Sequence, residues 1–181
     1  MKLPNRDSPR VILDLCAGTG AWGQPYADAG YDVRRFDLPQ DVRLEKYAGP
    51  VHGILAAPPC TVFSYARNRY PPTDAEILAA LSVVDACLRF VMVCRPSWWA
   101  LENPVNKLRR YLGPPTMTFK QWEYGDAAHK PTALWGNFTL PIKCAAERTK
   151  VSTWQTSTMN AHPDDAITPP RFAQAFFEVN P

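Results

Sequence analysis

No two cysteines in this chain are spaced Cys-x-x-Cys, and the five thiols are an odd number. His52, His129 and His162 stand apart from one another and from any cysteine pair, so neither a disulfide framework nor a zinc centre organises the sequence, and no metal is assigned. That cysteine usage fits a reducing compartment. A strong excess of either charge is lacking too. The formal net charge is +3, too small an excess to mark a nucleic-acid binder by itself. An uninterrupted apolar run is missing, because Asp85 and Arg89 break the stretch from Ile77 to Cys94 and the first ten residues hold no apolar signal region. We therefore expect a soluble cytoplasmic protein with no membrane partner.

What is present suffices for one core. With 181 residues, 46% of them hydrophobic, the chain reads as a single domain over 1–181 without internal repeats. Val11-Ile12-Leu13 reads as a buried strand, followed by a helix from about Ala21 to Ala29 that stops at Gly30. Strands are expected over Tyr31–Phe36, Val51–Ala56 and Ser97–Leu101. Thr73-Asp74-Ala75-Glu76 has the form of a capping box ahead of the longest helical period in the chain. A short helix is expected near Val105–Leu112, an antiparallel pair over Met117–Tyr124 and Thr132–Phe138, and a last helix after Thr168-Pro169-Pro170. Residues 141–167, with Trp154, show no periodicity and read as an irregular insertion. Strands alternating with helices predict a doubly wound, mostly parallel α/β sheet with an antiparallel edge pair, and ligands beyond the carboxyl ends of its strands.

Three segments at such ends carry chemistry. In Asp14-Leu15-Cys16-Ala17-Gly18-Thr19-Gly20 the glycines let the backbone turn tightly against a ligand, and Gly23 completes a GxGxxG spacing that dinucleotide enzymes share. Asp14 favours a different cofactor. A carboxylate there repels a pyrophosphate but suits the cationic amino acid of S-adenosylmethionine. Asp37, after the second strand, can accept from ribose hydroxyls, and Asp41 from an adenine amino group; each can also be an ordinary turn or cap acid.

Ala56-Ala57-Pro58-Pro59-Cys60-Thr61-Val62-Phe63-Ser64 ends an apolar run, forbids regular backbone and then presents a thiol. A buried small hydrophobe is the usual fate of such a cysteine, but the rigid entry suits a nucleophile. Leu101-Glu102-Asn103-Pro104 supplies a carboxyl group. Methylating cytosine at carbon-5 requires a thiolate to add at carbon-6 and a proton or strong hydrogen bond at ring nitrogen 3. Cys60 and Glu102 match those two needs. Poising a glutamate half-protonated at neutral pH takes roughly 3 to 4 kcal/mol, which burial beside Trp98, Trp99 and Leu101 can contribute. Cys16, Cys87, Cys94 and Cys144 read as structural. Basic residues follow two of the loops, Arg67 and Arg69 after the cysteine and Lys107, Arg109 and Arg110 after the glutamate, while Lys143, Arg148 and Lys150 lie in a late polar segment. Each is either solvated surface or a phosphate contact.

Taken in order, the three segments resemble the DNA (cytosine-5) methyltransferase family. Asp14 to Gly20 resembles its first motif, with Cys16 where an aromatic is usual. Pro59-Cys60-Thr61-Val62-Phe63-Ser64 resembles its Pro-Cys-Gln loop with Thr61 for Gln, and Leu101-Glu102-Asn103-Pro104 its Glu-Asn-Val loop. The resemblance spans about Val11 to Asn106 and implies a class I, Rossmann-like methyltransferase fold. It implies Cys60 as nucleophile and Glu102 at ring nitrogen 3. Around S-adenosylmethionine it sets Asp14, Leu15, Cys16, Ala17, Gly18, Thr19, Gly20, Trp22, Asp37, Leu38, Asp41, Val42 and Pro58. Asn103, Ser64, Arg67, Arg69 and Lys130 become candidate substrate or DNA contacts. No Gln-x-Arg-x-Arg follows the glutamate, and the family's target-recognition domain has no room between there and the terminal helix. A small phage-like member is the expectation, acting on DNA, on a free pyrimidine nucleotide or on RNA, or binding cofactor or DNA without catalysis, with a protein partner supplying sequence recognition as a further possibility.

Overall fold

The computed structural model describes residues 10–126, 131–144 and 167–181. Six strands form one sheet: β1 Val11–Leu15, β2 Asp32–Phe36, β3 Gly53–Ala56, β4 Trp98–Pro104, β5 Met117–Lys120 and β6 Pro131–Asn137, in the order β2-β1-β3-β4-β6-β5. The first four are mutually parallel, and β6 runs antiparallel to both β4 and β5. The expected α/β sheet with an antiparallel pair at one edge is therefore what forms.

Side chains alternate across the sheet, so each strand feeds two cores. Leu13, Ile54 and Leu101 face helix α2 (Asp74–Cys94), which buries Val84, Cys87 and Phe90 against them. Ile12, Leu55 and Ala100 face α1 (Gln24–Asp28) and α4 (Pro170–Val179), which bring Tyr26, Phe172 and Phe176. Helix α3 is a single turn, Arg109–Leu112.

Local chemistry explains most boundaries. Thr73 Oγ1 accepts from the Glu76 amide at 3.2 Å, and Glu76 Oε2 accepts from the Thr73 amide at 2.8 Å, which completes the capping box of α2. Arg95, at φ 49°, ends the helix in the left-handed region one residue before Pro96. By length and composition α2 is apolar enough to cross a membrane, yet here it covers one face of the sheet. Pro170 starts α4, and Tyr26 Oη donates to the Asn180 carbonyl at 2.8 Å, fastening α1 to the chain end.

Three expectations change. Helix α1 begins at Gln24, because Ala21–Gly23 is still part of the glycine turn. The segment expected as one strand over Met117–Tyr124 divides after Lys120, where Glu123 Oε2 accepts from the Lys120 amide and closes a 3-10 turn over Gln121–Tyr124. Strand β4 continues through Pro104 rather than stopping at Leu101, since β6 pairs with it as far as Pro104 opposite Thr132. Glu102 and Asn103 thus belong to a strand, not a loop. Most of the irregular segment 141–167, including Trp154, lies outside the described residues, as do Arg148, Lys150, His129 and His162.

Candidate active site

The register of the parallel strands brings the three motifs to one level. Leu15 pairs with Ala56, and Ala56 with Leu101; one residue beyond these rungs stand Cys16, Ala57 and Glu102. The Ala57 amide donates to the Leu15 carbonyl at 3.0 Å and extends the contact into the turns.

After β1 the chain turns over the end of β2. Cys16 adopts φ 55°, and the Cys16 and Ala17 amides both donate to the Phe36 carbonyl, at 2.7 and 3.3 Å. Gly18 and Gly20 also take positive φ, 54° and 73°, which glycine adopts without steric cost. A Cβ at Gly20 would lie 2.5 Å from Arg35 Nε, the end of an exposed, flexible side chain that can move aside. Above Gly18 a Cβ would meet nothing within 4 Å, so the turn leaves space for a ligand. Asp37 is half-buried beside it, and Leu38 is 83% exposed. Asp41 is gripped by Arg43, whose Nη2 lies 2.6 Å from Asp41 Oδ2, and the hydrogen bonds from Arg43 hold its carboxyl down at about 2.

Several expected cofactor contacts are buried. Asp14, assigned to the cofactor's amino acid, is 2% exposed and lies under Gly23, where a Cβ would fall 2.6 Å from its Oδ2. Burial pushes its carboxyl up to about 7, against the opposing pull of Arg35 on the neighbouring strand and the Gly23 amide. Its Oδ2 is buried without a hydrogen-bond partner among the described residues. Trp22 is 3% exposed and packs edge-on against Phe176 at 5.5 Å. Leu15, Val42 and Pro58 are likewise buried, so their side chains serve the core and only their backbones border the turns. Cys16, assigned a place near the cofactor, shares a hydrogen bond with the Cys87 thiol of α2. That bond lowers the Cys16 thiol against the opposing effect of burial, and raises the Cys87 thiol.

The cysteine turn is the most heavily braced part of the site. Cys60 is half-buried and opens a 3-10 turn, its carbonyl accepting from the Phe63 amide at 3.0 Å. Phe63, 1% exposed, plugs the turn into the core under α2. On one flank Asn103 Nδ2 donates to the Pro58 carbonyl at 2.9 Å, and on the other the Lys107 amide donates to the Phe63 carbonyl at 3.1 Å. Asn103, a candidate substrate contact in the sequence, is 0% exposed. It is instead the tie between the cysteine turn and the strand that carries Glu102. Glu102 itself is half-buried, opposite Leu134 of β6.

Among the candidate phosphate contacts, Arg67 pairs with Glu76 at 2.9 Å and so joins the turn to the cap of α2. Arg69 is exposed, with its guanidinium 5.6 Å from the Tyr70 ring centre. Ser64 is half-buried and extended after the turn. Lys130 lies outside the described residues. Sequence reasoning missed Asn106, whose Nδ2 donates to Asn103 Oδ1 at 2.8 Å, and Arg35. The one signal for Asn106 was its place three residues after Asn103, just past Pro104.

Comparison with known proteins yields a fold likeness. No protein-family model matches the chain, and no curated protein does. Among solved structures, a protein provisionally described as a DNA modification methyltransferase encoded within an E. coli prophage superposes with a TM-score of 0.51 at 16% identity. The match covers 72% of this chain and 49% of that one. Identity at this level speaks for a shared sheet architecture, and this chain accounts for about half of the other's length.

Proposed function

We propose that the protein transfers a methyl group from S-adenosylmethionine to carbon-5 of cytosine in DNA through a covalent adduct on Cys60. The observation that carries this reading is the tie from Asn103 to the Pro58 carbonyl, which fixes a Pro-Pro-Cys turn against a Glu-bearing strand beside an open glycine turn. The sheet likeness to a prophage DNA modification methyltransferase supports the reaction class and DNA as the substrate.

The glycine turn fits the cofactor, since the space over Gly18 and the neighbouring Asp37 and Leu38 suit a nucleoside laid along the end of β2. S-adenosylmethionine, when bound, supplies an electrophilic methyl group. Asp14 supports the turn from below rather than by direct contact. Cys60, as thiolate, adds to carbon-6 of a cytosine turned out of the stack. Glu102 meets the charge that develops at ring nitrogen 3. The enamine so formed would take the methyl group at carbon-5, the donor leaving as a neutral thioether, and loss of the carbon-5 proton to solvent then expels Cys60 as thiolate and restores the ring. A cytoplasmic place of action, in a bacterial or virus-infected cell, follows from this reading.

A second substrate class is favoured by one feature. Arg67 is committed to Glu76, which leaves fewer cations beside the turn for duplex phosphates and suits a free pyrimidine nucleotide or an RNA. Methyl transfer from labelled cofactor to duplex DNA, RNA and dCMP distinguishes the cases. Activity on DNA that falls steeply with salt supports duplex recognition, and equal activity on dCMP with a mild salt response supports the nucleotide. Loss of cofactor binding and of all three activities would overturn both.

A further inference from the structure

We infer that Asn106, which lies outside the Pro-Pro-Cys and Glu-Asn-Pro segments, is a positioning residue for Cys60: it fixes the amide of Asn103, and through it the Pro58 carbonyl at the entry to the cysteine turn. The inference rests on the reading of Cys60 as the nucleophile.

The relay begins and ends on backbone groups whose polarity is not negotiable. The Leu108 amide donates to Asn106 Oδ1 at 3.0 Å. The other end of the Asn106 side chain must then be Nδ2, a donor only, and it meets Asn103 Oδ1 at 2.8 Å. That leaves Asn103 Nδ2 to face the Pro58 carbonyl, an acceptor only, at 2.9 Å. Turning either amide over would set donor against donor or acceptor against acceptor. With Asn103 at 0% and Asn106 at 4% exposure, no water can relieve such a mismatch. Two carboxamides in series thus transmit the polarity of one helix-entry amide to one carbonyl of the cysteine turn.

The same segment holds the far side of that turn, through the Lys107 amide and the Phe63 carbonyl at 3.1 Å. Cys60 stands between the two anchors. Asn106 and Lys107 are adjacent in sequence, so one short stretch after β4 fixes both flanks of the nucleophile relative to Glu102.

Asn106→Asp tests this. Ionised, the carboxylate keeps the size of the side chain and still accepts from Leu108 but turns an acceptor toward Asn103 Oδ1 and breaks the relay, whereas protonated it donates there as the amide does, so the loss should deepen as pH rises. The expected result is a kcat lower by about 10- to 100-fold with KM values little changed, the pattern of a misplaced reacting group. Hydrogen exchange should quicken by about 2- to 10-fold at residues 60–63, the equivalent of one lost buried hydrogen bond, and stay unchanged across the sheet and α2. A merely structural role would instead raise exchange throughout and lower the active fraction. Wild-type kcat with wild-type exchange at 60–63 would overturn the proposal, as would that global pattern. Should the variant fail to fold, side-chain amide exchange in the wild-type protein decides: slow exchange at Asn103 and Asn106 supports the relay, and exchange as fast as that of exposed amides refutes it. Local loosening at 60–63 in a protein whose wild type methylates no cytosine would uphold the relay and remove the methyltransferase reading.

Discussion

Asp14 lies so close beneath Gly23 that a single methyl group on that glycine would come within 2.6 Å of the carboxylate. The carboxyl, held near 7 by burial against an ordinary 3.8, binds its proton more tightly in the folded chain than in the unfolded one. Its contribution to stability is therefore full below about pH 4 and is lost as pH rises toward about 7. Denaturation midpoints measured across that window should fall with pH, and Asp14→Asn should flatten the profile. Gly23→Ala should cost about 1 to 3 kcal/mol by overpacking.

Removing the brace has a larger effect. Asn103→Ala leaves the Pro58 carbonyl and the Asn106 amide buried and unmatched, for a loss of about 2 to 5 kcal/mol at two unsatisfied groups. Urea denaturation measures that loss. Methyl transfer should fall further than the change in folded fraction accounts for.

The sulfur pair makes a chemical prediction. Cys87→Ala deletes the thiol that lowers Cys16, so the pH midpoint for alkylation of Cys16 should move up. Peptide mapping after iodoacetamide treatment at several pH values reads the shift. An unmoved midpoint would remove the pairing as its cause.

Leu38 separates cofactor binding from folding. At 83% exposure it has little packing to lose, so Leu38→Asp should change stability by less than about 0.5 kcal/mol. If adenosine lies along the end of β2, the same substitution should weaken S-adenosylmethionine by several-fold in a calorimetric titration. Unchanged affinity would move the cofactor elsewhere.

Patterns governed by short-range rules were legible in the sequence. The capping box at Thr73 and Glu76, the glycines before α1 and the prolines that end β3 each announce their structure through local sterics or hydrogen bonds. What could not be read depends on partners distant in the chain. Trp22 resembles a cofactor residue until α4 arrives with Phe172 and Phe176 to cover it. Glu102 and Asn103 look like a loop until β6 pairs alongside them. Asn106 carries no apolar signal, so a buried carboxamide relay is invisible to any periodicity.

The central claim is that Cys60 adds to a pyrimidine, and trapping tests it most directly. Duplex DNA containing 5-fluorocytosine, incubated with the protein and S-adenosylmethionine, should give a covalent complex detected by intact mass, mapping to Cys60 and absent in Cys60→Ser. An unchanged protein mass, under conditions where a thermal shift shows the cofactor bound, would contradict the account.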